Sequence, residues 1–415
     1  IEGLNFLNVM KLFYRILLAW LFGFTMQRLG QDVSAQMDNV VTVVNDEETI
    51  IMARGDADIT TTYDDMVTSS NSTNVFRKGD ASRDGGTSIL PPIYVLNLDR
   101  ARDRWEQSWA QMKAAGLENH VSRLPAIDGR KLSREELEKE STKLALFLQP
   151  RGVIGCYLSH KSFWQYVVDN ELDRAIIFED DIQLVAGFKE KLIDNLKRLD
   201  PRDAFDVAFL GAIGRVHPQG KENFGSFLFG SYMGGNRRHK SLSDSFYQPK
   251  RPAGTHAYMV TQQGARKLLT LCKRATFHVD LDAWRHSSLE LRMFNPMLVY
   301  QTFETSTLTD VDRKRGKVGN ALVSSRAVQR LHAWARDPYT LQPWSHVLAE
   351  PMLQLGPGGL VINVERFCIV LGTGCVSSLI LVQAGLRYWA KVVFGSTVGL
   401  FVSMRSLIWL LMNWK

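Results

Sequence analysis

Short apolar runs alternate with amphipathic stretches along the middle of this chain. Residues 93–98 (IYVLNL) form a compact apolar run with β-branched members and read as a buried strand. A charged segment, 99–104, follows, and a helical stretch then extends to about Ala115. Between Val153 and Val168 the residues Leu158, Phe163, Trp164 and Val167 recur at helical spacing. Residues 175–178 predict a second strand, which ends directly in Glu179-Asp180-Asp181. A third strand is predicted over 207–210, ending at Gly211, and a fourth over 257–260, followed by a helix over 262–272. Strands alternating with helices predict an α/β domain with a mostly parallel central sheet. No internal repeat is visible.

The flanks have a different pattern. Lys11 and Arg15 precede an uncharged apolar run, 16–26, too short to span a bilayer comfortably. Residues 1–35 therefore predict a signal peptide, with Val33-Ser34-Ala35 as the cleavage site, or a short signal anchor. Residues 36–90 are acidic, rich in Ser and Thr and poor in aromatics, which predicts a disordered stem carrying the glycosylation sequon Asn71-Ser72-Thr73. Near the other end, 367–386 is free of charge and long enough for a transmembrane helix. The run 392–412, apolar apart from Arg405, is the candidate for a second. Arg387 and Lys391 between them would face the cytosol. This leaves 91–350 as the folded domain.

Composition changes this picture in one respect. Apolar residues make up 45% of 415, so a packed core is available, and four cysteines with no CxxC pair exclude a disulfide scaffold or a zinc ribbon. A net charge of +7 would ordinarily raise nucleic acid as a partner. Divided by segment it does not: 1–30 carries +2, 31–90 carries −7, 351–415 carries +4 and the central block +8. A basic block between an acidic stem and a basic apolar tail fits a compact anionic ligand and a membrane flank. Of the cysteines, only Cys156 and Cys272 fall in the folded domain.

Two acidic clusters carry candidate chemistry. In parallel α/β sheets ligands bind beyond the carboxyl ends of the strands, where Glu179-Asp180-Asp181 falls. Three successive carboxylates repel one another, and strict alternation would send Glu179 and Asp181 to one side and Asp180 to the other. That pair suits a hard divalent ion beside phosphate oxygens, although acidic loops after strands are also common. The second cluster, Asp280-Leu-Asp282, offers a general base for a hydroxyl, or a cap for a helix over 281–289.

Six motifs occur in one order: IYVLNLDR (93–100) with Arg104, Ala126-Ile-Asp128-Gly129, Gly155-Cys-Tyr-Leu-Ser159-His160, Ile176-Ile-Phe-Glu179-Asp180-Asp181, Gly254-Thr-His-Ala-Tyr258 and Val279-Asp280. In these the chain resembles glycosyltransferase family 25, over roughly 91–305. The resemblance implies a GT-A-like fold, a UDP-sugar donor of galactose or glucose, a divalent ion (usually manganese) and inversion at the anomeric carbon. It implies a metal role for Glu179 and Asp181, nucleotide contacts for Asn97, Asp99, Arg104 and Asp180, and a base role for Asp280 with Asp282 in reserve. The Ser159-His160 pair matches without a derivable role. The acceptor would be a glycan, glycolipid or protein, and the place a Golgi or endoplasmic reticulum membrane with the domain lumenal. The alternative is a catalytically silent, membrane-anchored nucleotide- or carbohydrate-binding protein that keeps the fold. Segments 220–250 and 306–350 match nothing in the family pattern; the first is the candidate acceptor loop.

Overall fold

The computed structural model describes residues 89–199, 204–219, 240–243, 245–302, 339–342, 351–355 and 360–413. The expected signal segment and sequon, nearly all of the stem, and most of 220–250 and 306–350 lie outside the described residues. In chain order the elements are β1 (Ile93–Asn97), α1 (Arg102–Ala114), β2 (Val121–Pro125), α2 (Arg134–Glu140), α3 (Lys143–Leu148), α4 (Arg151–Asp169), β3 (Arg174–Glu179), β4 (Ile182–Leu184) and α5 (Phe188–Lys197). Then come β5 (Val207–Arg215), β6 (Lys240–Ser241), β7 (Phe246–Gln248), β8 (Arg251–Thr261), α6 (Gln262–Leu271), α7 (Val279–Ala283), β9 (Leu291–Phe294), β10 (Val299–Gln301), β11 (Pro351–Leu355), β12 (Leu360–Asn363), α8 (Val364–Gln383) and α9 (Arg387–Asn413).

Eight strands form one sheet in the order β2-β1-β3-β8-β5-β9-β7-β6. Side chains of the central strands alternate between two apolar layers. Tyr94, Leu96, Ala175, Ile177, Val207, Phe209, Tyr258 and Val260 pack on one face with α4, α6 and Trp284. Ile93, Val95, Ile176, Phe178, Ala208, Leu210, Ala257 and Met259 pack on the other with Met112 of α1 and Phe188, Leu192 and Leu196 of α5. Strands covered on both faces read as continuous apolar runs, which is why 93–98, 175–178, 207–210 and 257–260 stand out in the sequence. Each fully buried large side chain contributes about 1.5–3 kcal/mol.

The expected mostly parallel sheet is mixed. β1 runs parallel to β2 and β3, and β5 parallel to β9. β8 enters between β3 and β5 antiparallel to both. Consequently the first half of β8, Gly254-Thr255-His256, lies beside the carboxyl end of β3, where Glu179 emerges. Gly211 does not end β5 as expected; the strand continues to Arg215 with register shifts on either side of that glycine. A Cβ there would stand 2.0 Å from the Val299 carbonyl oxygen, so the glycine admits a crossing backbone instead of stopping the strand.

The expected first transmembrane segment, 367–386, falls largely within one helix, α8. Helix α8 starts at Val364, with Glu365 and Arg366 in its first turn, and stops before Gly385, whose φ of +78° is left-handed. Among the described residues α9, rather than α8, is the one helix long and apolar enough to cross a membrane. Among the described residues, every exposed large hydrophobic side chain apart from Ile89 and Phe147 falls within 369–409.

Gly264, in the first turn of α6, supplies a test of this packing. A Cβ on it would lie 2.2 Å from the backbone oxygen of Asp206. Helix propensity alone favours Ala over Gly by about 1 kcal/mol. Overpacking against backbone instead costs roughly 1–3 kcal/mol. Gly264→Ala should therefore lower the thermal unfolding midpoint by several degrees. A rise would show that α6 does not press on the β5 entry as described.

Candidate active site

The site is built where β1 and β3 end and β8 begins, with α4 behind it. Glu179 is the last residue of β3, and the chain bends at Asp180-Asp181 before β4. That bend defeats strict alternation. Glu179 turns toward α4 and β8, where its Oε1 accepts from the Thr255 hydroxyl at 2.5 Å and lies 3.2 Å from His160 Nε2. Asp180 and Asp181, expected on opposite sides, share the Arg104 guanidinium from α1.

Each acid has its own setting. Asp180 is buried; its Oδ2 accepts from Asn97 Nδ2 at 2.7 Å, and its backbone oxygen accepts from the Ser108 hydroxyl at 3.0 Å. Asn97 is held in turn by Arg123, whose Nε donates to its Oδ1 at 2.9 Å. Asp181 Oδ2 is 3.3 Å from both Arg104 Nη2 and Gln301 Nε2, and Thr302 N–H donates to its carbonyl at 2.8 Å. Its other oxygen, Oδ1, is buried with no hydrogen-bond partner among the described residues. Burial pushes the Asp181 carboxyl up, and the charge on Glu179 pushes the same way against Arg104. Burial also raises Asp180, against the pull of Arg104 and Asn97. For Glu179 burial acts upward, but the hydrogen bond and charge of His160, with Thr255, outweigh it and hold the carboxyl down. One guanidinium set against three carboxylates, with one carboxylate oxygen orphaned, fits a divalent cation bound by oxygens.

Asp280 sits in the first turn of the five-residue helix α7, whose N-cap position is His278. Its half-buried carboxylate accepts from the Gly254 N–H at 2.7 Å, a donor made available by the left-handed Gly254 (φ +82°). Asp282 is 3% exposed and engaged on both oxygens, by the Tyr157 hydroxyl at 2.6 Å, the Thr276 hydroxyl at 2.9 Å and Arg285 Nε at 3.0 Å. The structure thus spends Asp282 on joining α4 to α7 and leaves Asp280 beside β8. Asp99 is 61% exposed at its side chain and pairs with Arg123 at 2.8 Å. Asn97, Arg104, Asp180 and Asp181 form one connected group; Asp99 touches it through Arg123.

Ser159 has a structural role. Its hydroxyl donates to Gly155 O and accepts from Ile127 N–H, both at 2.8 Å. The glycines of two motifs meet here: a Cβ on Gly155 would lie 2.5 Å from Gly129 N, and one on Gly129 would lie 1.8 Å from Arg151 O. His160 faces the other way, with Nδ1 3.0 Å from the Tyr258 hydroxyl, which also accepts from Trp164 Nε1–H at 2.8 Å. Thr255, Tyr258, Arg123 and Gln301 belong to the site without having been singled out by sequence reasoning. Thr255 and Tyr258 stand inside a quoted motif, and the signal for them was their place on a strand. Arg123 lies on β2, whose one buried member is Leu124, so no apolar run marks it.

Comparisons with known proteins place these residues in context. Residues 90–282 match the model of glycosyltransferase family 25 (LPS biosynthesis protein). Human procollagen galactosyltransferase 2 is 32% identical over 116 residues, covering 26% of this chain and 18% of that protein. A glycosyltransferase 25 family member of Aedes aegypti is 28% identical over 188 residues, 43% of this chain and 27% of the relative. Human inactive glycosyltransferase 25 family member 3 is 28% identical over 186 residues, again 43% of this chain and 28% of the relative. The matched stretch thus spans less than a third of the length of each of these relatives. It contains Asn97, Arg104, His160, the three carboxylates from Glu179 to Asp181, Thr255 and Asp280. Within this chain, residues 90–282 constitute a glycosyltransferase family 25 domain.

Proposed function

We propose that the domain is a GT-A-like, inverting, metal-dependent glycosyltransferase. It moves a hexose, galactose first and glucose second, from a UDP-sugar to a hydroxyl of a glycan, glycolipid or protein acceptor. Family membership supports transferase activity, and the galactose choice leans on the name of the procollagen galactosyltransferase relative. The observation that carries the reading is the orphaned, buried Asp181 Oδ1 at the end of β3, in a group of three carboxylates with one guanidinium.

Glu179 and Asp181 are the residues that would hold the divalent ion, with manganese the expected species. When bound, such an ion stabilises negative charge developing on a diphosphate leaving group. The chain supplies the rest. Asn97 and Arg104 fix Asp180 at the nucleotide side, with Asp99 at its solvent edge. Asp280 is the base: the Gly254 N–H orients its carboxylate to take the acceptor's hydroxyl proton. Attack from the face opposite the departing diphosphate inverts the anomeric centre. The basic central block suits a donor that brings two negative charges. The exposed apolar face of α9 supports attachment to a membrane, and a secretory-pathway membrane with the domain lumenal agrees with the sequon at Asn71. A silent binding protein that keeps the fold is the second reading, favoured by the relative named as inactive.

Turnover of a panel of UDP-sugars with and without Mn²⁺ separates the two. The proposal expects manganese-dependent hydrolysis or transfer, strongest with UDP-galactose; UDP binding without turnover would establish the silent reading. Asp181→Asn keeps the shape of the side chain and should reduce activity on the order of 10²–10³-fold, as loss of one fixed electrostatic group does. Unchanged activity would remove Asp181 from the metal site.

Asp280→Asn retains an oxygen for the Gly254 N–H, so the fold should survive. It should lower kcat by about 10²–10⁴-fold, the range for losing a general base, with little change in KM for the donor. A loss confined to KM would make Asp280 a binding residue.

A further inference from the structure

Behind the proposed hard-ion site lies a second group of ligands with different chemistry. Cys156 and His160 are one turn apart on α4 and share a face. Together with Glu179 they bring one ligand atom each to within 4.8 Å of one another. His160 Nε2 is 3.2 Å from Glu179 Oε1, and Cys156 is in no disulfide. We propose that Cys156, His160 and Glu179 form a site for a soft divalent cation of the zinc type, sharing Glu179 with the hard-ion site.

The donor set carries the argument. Thiolate, imidazole and carboxylate together suit zinc, whereas manganese prefers oxygen and gains little from sulfur. Donors around a tetrahedral zinc stand about 3.3–3.6 Å apart, so closing the cluster takes side-chain adjustment of about 1 Å. Outer partners that orient such ligands are already in place. The Tyr258 hydroxyl lies 3.0 Å from His160 Nδ1 and is itself fixed by Trp164 Nε1–H, while the Thr255 hydroxyl holds Glu179 Oε1. Both Tyr258 and Trp164 are fully buried, so this backing is rigid. The Glu179 side chain is 21% exposed, which leaves the fourth position open to water. Protons balance simply. The Cys156 thiol gives its proton to solvent, and the imidazole proton stands on Nδ1, donating to Tyr258. Zinc seated here takes Glu179 away from the hard ion and so opposes it.

The site itself does not depend on the proposed function; the competition with manganese does. Cobalt(II), a spectroscopic substitute for zinc, should be titrated into the metal-free full chain in detergent. The wild type should develop a thiolate-to-cobalt charge-transfer band that zinc abolishes, and Cys156→Ser should lack it while retaining its circular dichroism and melting temperature. His160→Gln should weaken the band by about tenfold or more in cobalt affinity. In manganese-supported transfer, zinc should inhibit the wild type, and Cys156→Ser, with basal activity unchanged, should need about tenfold more zinc. Absence of the band in the wild type, or its persistence in Cys156→Ser, would overturn the site. A chain that shows the band but no transfer with any UDP-sugar would refute the proposed function and leave the soft-metal site standing.

Discussion

Three successive carboxylates at the end of a buried strand repel one another, and much of the surrounding structure answers that repulsion. α1 contributes Arg104 to Asp180 and Asp181, β1 contributes Asn97 to Asp180, and β8 and α4 contribute Thr255 and His160 to Glu179. These four elements meet because β8 runs back between β3 and β5, bringing its first residues to the carboxyl end of β3. The remaining imbalance is concentrated on Asp181, whose Oδ1 has no partner among the described residues. A buried polar oxygen without a partner is costly, and in the proposed site an added cation would supply one.

The sequence made the core legible because its central strands are covered on both faces. Ile93 to Asn97 and Arg174 to Glu179 appear as apolar runs for that reason, and the helix Arg151–Asp169 appears through its periodicity. Sheet order did not appear. The antiparallel insertion of β8 is a long-range pairing, and no local pattern distinguishes it from a parallel strand. Strict alternation failed at Asp180-Asp181 for a local reason: it holds only while the backbone stays extended, and the chain bends at Asp180. The same limit applies to Gly211, which reads as a breaker and serves as a crossing point under the Val299 carbonyl.

Motifs in one stretch of sequence divide between packing and chemistry. In Gly155-Cys-Tyr-Leu-Ser159-His160, the glycine lets α4 approach the Ile127–Gly129 backbone, Tyr157 anchors Asp282, and Ser159 pins Ile127. Cys156 and His160 share the face toward Glu179. Helical spacing explains the division, since residues four apart share a face and their neighbours do not. Asp280 and Asp282 divide likewise: one fastens α7 to α4, and the other turns to the Gly254 N–H.

This division bears on how active and silent members of one family can share a fold. The packing duties of Gly129, Gly155, Ser159 and Asp282 require the same residues whether or not chemistry follows, because each fills a close approach or satisfies buried donors. Arg104 and His160 likewise keep the carboxylates tolerable in a protein that never turns over. Asp280 is different. Its carboxylate accepts from the Gly254 backbone N–H, a bond that a carboxamide oxygen in the same place could also accept. In the proposed mechanism the Asp280 carboxylate is the group that a transferase needs for the acceptor's hydroxyl proton and a binding protein on this scaffold does not.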